Sequence, residues 1–198
     1  MRIRATYQVF LKYPIRLSHC FKIKKRLLAL STGVFLFLQK KENMKEAVVE
    51  IINYTPQYKD DFKRLNVEWI STYFTVEPHD LEQLDDPEGY ILSKGGHIFF
   101  AKKDEVIVGT VALIKVSDTS YELAKMGVSP QYQGLGAGKK LALKVIEEAK
   151  RLGGNYLSLE SNQILIPALT MYKSIGFVEI PMGETPYARA NFKAEMYL

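Results

Sequence analysis

Between Gln133 and Lys139 the chain reads Gln-Gly-Leu-Gly-Ala-Gly-Lys, with glycines alternating at 134, 136 and 138 directly ahead of an amphipathic helical pattern. Glycine lets a backbone turn tightly and lets a ligand approach with no Cβ in the way. A helix start adds unpaired N–H groups and partial positive charge. Together these suit a phosphate or pyrophosphate. Upstream, Glu122 lies in a β-rich run, and strict alternation gives it one face with Ala124, Met126 and Val128. A carboxyl on an apolar face titrates above its usual range, which suits a proton acceptor near neutral pH. A structural carboxylate holding an amide or an arginine is the alternative. Downstream, Tyr172 shares a helix face with Leu165, Ala168 and Leu169, so packing and chemistry both fit it.

Two nucleotide-binding patterns fail on position. A P-loop needs glycine where Gln133 stands and a hydroxyl where Lys140 stands. The dinucleotide fingerprint needs a third glycine where Lys139 or Leu141 stands. The single cysteine, Cys20, excludes an internal disulfide framework, and His19, His79 and His97 have no metal-ligand spacing. No metal is therefore expected, and a reducing, cytoplasmic setting is.

The elements that must position these residues follow from periodicity. Ala47–Ile52 reads as a first strand. Pro56 opens a helical pattern through Phe62, Leu65, Trp69 and Tyr73, and Glu77 to Leu84 forms a second helix. Asp86 to Gly89 reads as a turn. His97–Lys102, Val106–Val116 and Tyr121–Val128 read as three meandering strands. The helix after the glycines, Gly134–Arg151, carries one stripe of Leu141, Ala142, Val145, Ile146, Ala149 and Leu152. Gly153-Gly154 ends it. A strand at Tyr156–Glu160, a helix from Pro167 to Ser174, and strands at Gly176–Ile180 and Ala188–Tyr197 complete the chain. The expected fold is α/β (α+β), a three-layer sandwich around a mixed, mostly antiparallel sheet of about seven strands, with one right-handed crossover through the glycine-loop helix.

The net charge of +5 hides an asymmetry. Residues 1–43 hold ten Lys/Arg against one acid, whereas 44–198 hold 17 against 21. The main body thus lacks the basic excess of a nucleic-acid binder. Within 1–43, basic residues run to Arg26 and an apolar stretch follows from Leu27 to Leu38, shorter than the roughly 20 residues that span a bilayer. No small-x-small cleavage site follows it. Three readings stay open: an extension upstream of a working start at Met44, a membrane-surface or signal-like segment, or a helix on the domain. The first leads to an expected division into an extension, 1–43, outside the fold, and a domain, 44–198, with no membrane partner.

What the glycine loop does match is Gln-x-x-Gly-x-Gly, as Gln133, Gly136 and Gly138. This resembles the pyrophosphate loop of the GNAT superfamily, the acetyl-CoA-dependent N-acetyltransferases. Met171-Tyr172-Lys-Ser-Ile-Gly176-Phe177 resembles the family's Leu-Tyr-x-x-x-Gly-Phe signature. The resemblance covers roughly 44–198 and is strongest across 120–180. It implies an N-acetyltransferase fold that moves an acetyl group from acetyl-CoA to a primary amine by direct attack. It implies cosubstrate contacts from Met126, Gly127 and Val128 along the strand, and from Gln133, Gly134, Leu135, Gly136, Ala137, Gly138 and Lys139 around the pyrophosphate. Lys140 could add charge there. Asn162 resembles an asparagine that touches the pantetheine arm, although it lies ten residues before Tyr172 where about seven is common. A turn or capping role competes for it. Glu122 would be the general base and Tyr172 the acid that protonates the leaving thiolate. The acceptor, a small-molecule or peptide amine, would meet residues drawn from Trp69, Tyr73, Phe74, Glu77, His79, Tyr90, Tyr187 and Arg189. Glu77 and Arg189 could bind the amine and carboxylate of an amino-acid-like acceptor. A homodimer is left open. The alternative function is a non-catalytic acyl-CoA-binding sensor or scaffold.

Overall fold

The structure, a computed structural model, describes residues 49–198; segment 1–43 and the first residues of the domain lie outside the described residues. In chain order the elements are β1 (Glu50–Asn53), α1 (Lys59–Tyr73), α2 (Pro78–Asp85), β2 (His97–Lys103), β3 (Val106–Lys115), β4 (Ser120–Val128), α3 (Ala137–Arg151), β5 (Tyr156–Ser161), α4 (Ile166–Ser174), β6 (Val178–Ile180) and β7 (Phe192–Tyr197). The strands form one sheet in the order β1-β2-β3-β4-β5-β7-β6. Every neighbouring pair is antiparallel except β4 and β5, which run parallel. This is the expected mixed, mostly antiparallel sheet of a three-layer α/β sandwich.

Alternation along the strands sorts apolar side chains onto two faces. On one face Ile98, Phe100 and Ala112 pack with Phe62 and Leu65 of α1 and Leu84 of α2. On the other, Phe99, Val111, Leu113, Leu123 and Leu157 pack with Leu141, Ala142 and Val145 of α3 and with Leu169 and Tyr172 of α4. Each such aliphatic or aromatic side chain contributes about 1.5–3 kcal/mol on burial. The stripe on α3 is as its spacing predicts, with Ile146 and Leu152 at its half-buried margins.

Several boundaries differ from the sequence reading, each for a local reason. The helix predicted from Gly134 begins at Ala137, because Gly134 and Gly136 take positive φ and cannot join it. The predicted turn at Asp86–Gly89 is the entry to a wide helical turn over Glu88–Leu92, closed by the Ser93 N–H on the Glu88 carbonyl at 2.8 Å. The last two strands are shorter than predicted; residues 188–191 form a loop whose Asn191 N–H bonds the Ser161 carbonyl at 3.1 Å. The order of the last two strands also differs from chain order, since β7 lies between β5 and β6.

Two irregularities in β4 shape the site. First, β4 and β5 pair only from Ser120–Tyr156 to Glu122–Ser158, and beyond that point they diverge. Second, β4 carries a bulge against β3: the register passes from Ala112–Ala124 to Thr110–Gly127. Lys125 lies in the bulge with φ of +49°, a left-handed conformation uncommon outside glycine. The extra residue corrects the expected alternation. Glu122 and Ala124 pair with Ile114 and Ala112, which face α1 and α2. Met126 and Val128 instead pack on the α3 side. Gly127 turns back towards α1, where a Cβ would collide with the Trp69 ring.

Candidate functional site

The divergence of β4 from β5 opens a cavity of about 610 Å³ that passes through the sheet layer. The glycine loop forms one end. Pro130–Tyr132 makes a single tight helical turn, and the Gln133 side-chain amide donates to the Val128 carbonyl at 3.3 Å, tying the loop to the end of β4. Gly134 and Gly136 then take φ of +78° and +77°. As a result, none of the N–H groups from Gly134 to Lys139 has a backbone or side-chain acceptor among the described residues. The first acceptor bond comes at Lys140, to the Gly136 carbonyl at 3.0 Å. Consecutive free N–H groups at the positive end of a fifteen-residue helix are a built anion cradle. Lys139 lines the cavity, while the Lys140 ammonium bonds the Val49 carbonyl at 3.1 Å and belongs to the packing of β1.

A Cβ on Gly136 would meet no protein atom within 4 Å, so a methyl there costs only its strained φ, about 1–2 kcal/mol. Gly136→Ala is therefore expected to remain folded while weakening acetyl-CoA binding about tenfold or more, read by titration calorimetry alongside a denaturant melt. Equal affinity in the variant would show that the loop is a turn and nothing more.

Glu122 and Tyr172 both line the cavity, from opposite faces of β4. Glu122 faces the α1/α2 side, and no hydrogen-bond or ion-pair partner is found for its carboxyl among the described residues. Burial raises its pKa from 4.5 to about 7; the nearby Glu160 carboxylate adds to the rise, and Lys125 and Lys193 oppose it. Tyr172, on the α3/α4 side, is 7% exposed and packs edge-on against Phe177. Its hydroxyl donates only to the Met126 sulfur, at 3.5 Å, and burial pushes its pKa well up, so the phenol keeps its proton. Asn162 also reaches the cavity wall, but both ends of its amide are engaged: Nδ2 donates to the Arg189 carbonyl at 2.5 Å, and Oδ1 accepts from the Ile164 N–H at 3.0 Å. In the diverging part of β4 the main chain of Leu123 to Val128 has no β5 partner, leaving an open edge that an extended ligand could pair with.

The α1/α2 side of the cavity holds a charged network that sequence reasoning missed. Asp80, fully buried, accepts from Lys125 Nζ at 2.9 Å and from Arg189 Nη1 and Nη2 at 2.7 and 2.8 Å. Arg189 also pairs with Glu77 at 2.9 Å, and Lys125 reaches the Tyr187 hydroxyl at 2.8 Å. The Tyr187 ring sits with Lys125 over it at 4.8 Å and Arg189 at 4.7 Å. Glu77 and Arg189 thus bind each other, which corrects the expectation that they take the two ends of an amino-acid-like acceptor. Of the other predicted acceptor residues, Trp69, Tyr73, Phe74, Tyr187 and Arg189 line the cavity; Glu77, His79 and Tyr90 do not. The only early sign of Asp80 was its place three residues after Glu77, and the two form a reciprocal cap at the start of α2. Among the described residues no group of His, Cys, Asp and Glu side chains is placed to hold a metal ion, and no helix is long and apolar enough to cross a membrane.

A sheet split between parallel neighbours, with free N–H groups of the described residues at one end of the gap, is the architecture of the acyl-CoA N-acyltransferase fold. The sequence profile of the acetyltransferase (GNAT) family matches residues 62–177, and the chain belongs to that family of acyltransferases. It is similar to the uncharacterized N-acetyltransferase YvbK of Bacillus subtilis, 30% identical over 104 residues, 51% of this chain and 67% of that protein. It spans only 43–46% of the length of several other N-acetyltransferases it matches. Among solved structures it is similar to a GNAT-family acetyltransferase from Staphylococcus aureus Mu50, at 27% identity and a TM-score of 0.70 over 76% of this chain and 99% of that one. The fold is shared at 17% identity with YncA of Salmonella typhimurium, solved with acetyl-CoA, at a TM-score of 0.60 over 76% of this chain and 94% of that one.

Proposed function

We propose that the protein transfers an acetyl group from acetyl-CoA to a primary amine within a ternary complex. The observation that carries this reading is the pairing of an unpartnered carboxyl and an almost unpartnered phenol on opposite faces of β4, at one gap that ends in six free N–H groups. Acetyl-CoA supplies the thioester whose acyl group is moved. The N–H groups from Gly134 to Lys139 hold its pyrophosphate, and the open edge of β4 through Met126 and Val128 holds its pantetheine arm by main-chain hydrogen bonds. Asn162 holds the loop before α4 to Arg189 with one N–H of its amide, and the second N–H, at the cavity wall, serves the pantetheine arm.

Glu122 takes the proton of the attacking amine, directly or through a water, from the α1/α2 side. The nitrogen forms its bond to the acyl carbon as the C–S bond breaks, and a main-chain N–H of β4 steadies the carbonyl oxygen as it gains charge. Tyr172 gives its proton to the departing sulfur from the opposite side and regains one from solvent. Tyr172→Phe is expected to lower kcat/KM about a hundredfold at unchanged acetyl-CoA affinity, measured by CoA release and calorimetry. Tight acetyl-CoA binding by the native protein with no turnover across a broad amine panel would overturn the enzyme reading in favour of a non-catalytic acyl-CoA-binding module.

A further inference from the structure

We propose, resting on the acetyltransferase reading, that the acceptor is a small amine on an aryl or alkyl group and that it carries no carboxylate. The argument is a count of charges on the α1/α2 side of the gap. Lys125 is committed to Asp80 at 2.9 Å, and Arg189 to Asp80 and Glu77 at 2.7 and 2.9 Å. Lys193 is committed to Glu160 at 3.3 Å, and Glu160 also accepts from the Thr185 hydroxyl at 2.6 Å. All three of these cations therefore already hold carboxylates, and Lys125 and Arg189 are sequestered as well, their side chains 4% and 14% exposed.

Glu122 is the group left over. It faces the cavity as a carboxyl with no cation of its own, beside Glu160. An ammonium fits that position. A second carboxylate brought in next to the amine would meet Glu122, Glu160 and Asp80, and Lys125, Arg189 and Lys193, the cations on this side among the described residues, are already committed; like charges in a partly desolvated site repel strongly. The rest of this side is apolar: Trp69 and Phe74 meet edge-on with centroids 6.4 Å apart, Ile70 lies beside them, and Tyr73 is 56% exposed at the rim. Such a wall offers area to an aryl or alkyl substituent; its polar atoms are the Trp69 indole N–H, which donates to Asn66 at 3.3 Å, and the Tyr73 hydroxyl at the rim.

The test uses the full chain loaded with CoA, so that binding is read without turnover. Calorimetry would compare matched pairs, 2-phenylethylamine with phenylalanine and tryptamine with tryptophan, and the methyl ester and amide of each amino acid. The plain amines are expected to bind about tenfold or more tightly than the amino acids, and the esters to recover most of the difference. Amino acids binding as well as the amines, or no pair member binding at millimolar concentration, would overturn the proposal. Amides binding more tightly than the plain amines would overturn it in favour of a peptide N-terminus. Because the readout is binding, a preference for amines without acetylation in the presence of acetyl-CoA would sink the enzyme reading while leaving the ligand class in place. Glu77→Gln supplies an internal check: it removes one of the two negative charges that hold Arg189, keeps an acceptor at the start of α2, and is expected to narrow the discrimination severalfold.

Discussion

Replacing Glu122 by glutamine is expected to lower kcat/KM by about two to four orders of magnitude and to make the folded protein more stable at alkaline pH. Both effects come from one fact: its carboxyl is held with a pKa of about 7, against 4.5 for a free glutamate, chiefly by burial and further by Glu160, against the opposing charges of Lys125 and Lys193. The folded state holds this proton more tightly than the unfolded chain does. Stability is therefore lost as pH rises from 4.5 to about 7, with the full cost present above that. At about 1.36 kcal/mol per unit, the ionised group costs of the order of 3 kcal/mol at pH 8, and glutamine removes that cost. In the native enzyme kcat/KM should climb with pH and level off at about 7, as the base loses its proton. In Glu122→Gln that inflection should vanish, leaving only the titration of the amine. Denaturant melts at pH 5 and pH 8 beside a pH–rate profile would measure both. A carboxylate holding an amide or arginine would behave oppositely, losing stability on substitution at pH 8, and that outcome would end the base assignment.

The parts of this site that were legible in the sequence are those written in contiguous residues. The spacing of Gly134, Gly136 and Gly138 before an apolar stripe implies a turn that cannot be helical and a helix that must follow, and both appear. Tyr172 within four residues of Gly176 was readable for the same reason. What escaped depends on contacts between distant segments. Asp80 is met by Lys125, 45 residues away, and by Arg189, 109 residues away, and no local pattern anticipates either meeting. The bulge at Lys125 was invisible because alternation continues plausibly through Ala124, Lys125 and Met126 as letters; only pairing with β3 shows that one residue is extra. That single residue moves Met126 and Val128 to the far face from Glu122, so Glu122 and Met126 reach the gap from opposite sides of the strand. The position of β7 between β5 and β6 is likewise set by pairing, and it carries the 188–191 loop over the cavity with Arg189.

Asp80→Ala should cost about 3–5 kcal/mol of stability, the range for breaking a buried pair and leaving charge behind. The carboxylate answers two cations whose side chains are 4% and 14% exposed, and it also accepts the Glu77 N–H at 3.1 Å at the start of α2. Burial alone would raise its pKa, but the hydrogen bonds from Arg189 and Lys125 hold it below the ordinary 3.8. Its contribution is accordingly complete above pH 3.8 and is lost as pH falls below that value. Removing the exposed partner in the Lys63–Asp85 pair, at 2.6 Å, should by contrast change stability by no more than about 1 kcal/mol. The decisive comparison is Asp80→Ala combined with Lys125→Met. Methionine keeps the length of the lysine stem without the charge, and Arg189 retains Glu77, so the double variant should be clearly more stable than Asp80→Ala alone. If the two substitutions simply add, the loss comes from the cap and from packing, and Lys125 is not held by Asp80 in any energetic sense. If they couple as expected, Asp80 is what keeps Lys125 and Arg189 occupied. The cation freed in Asp80→Ala should then draw carboxylate-bearing amines into a chamber that otherwise turns them away.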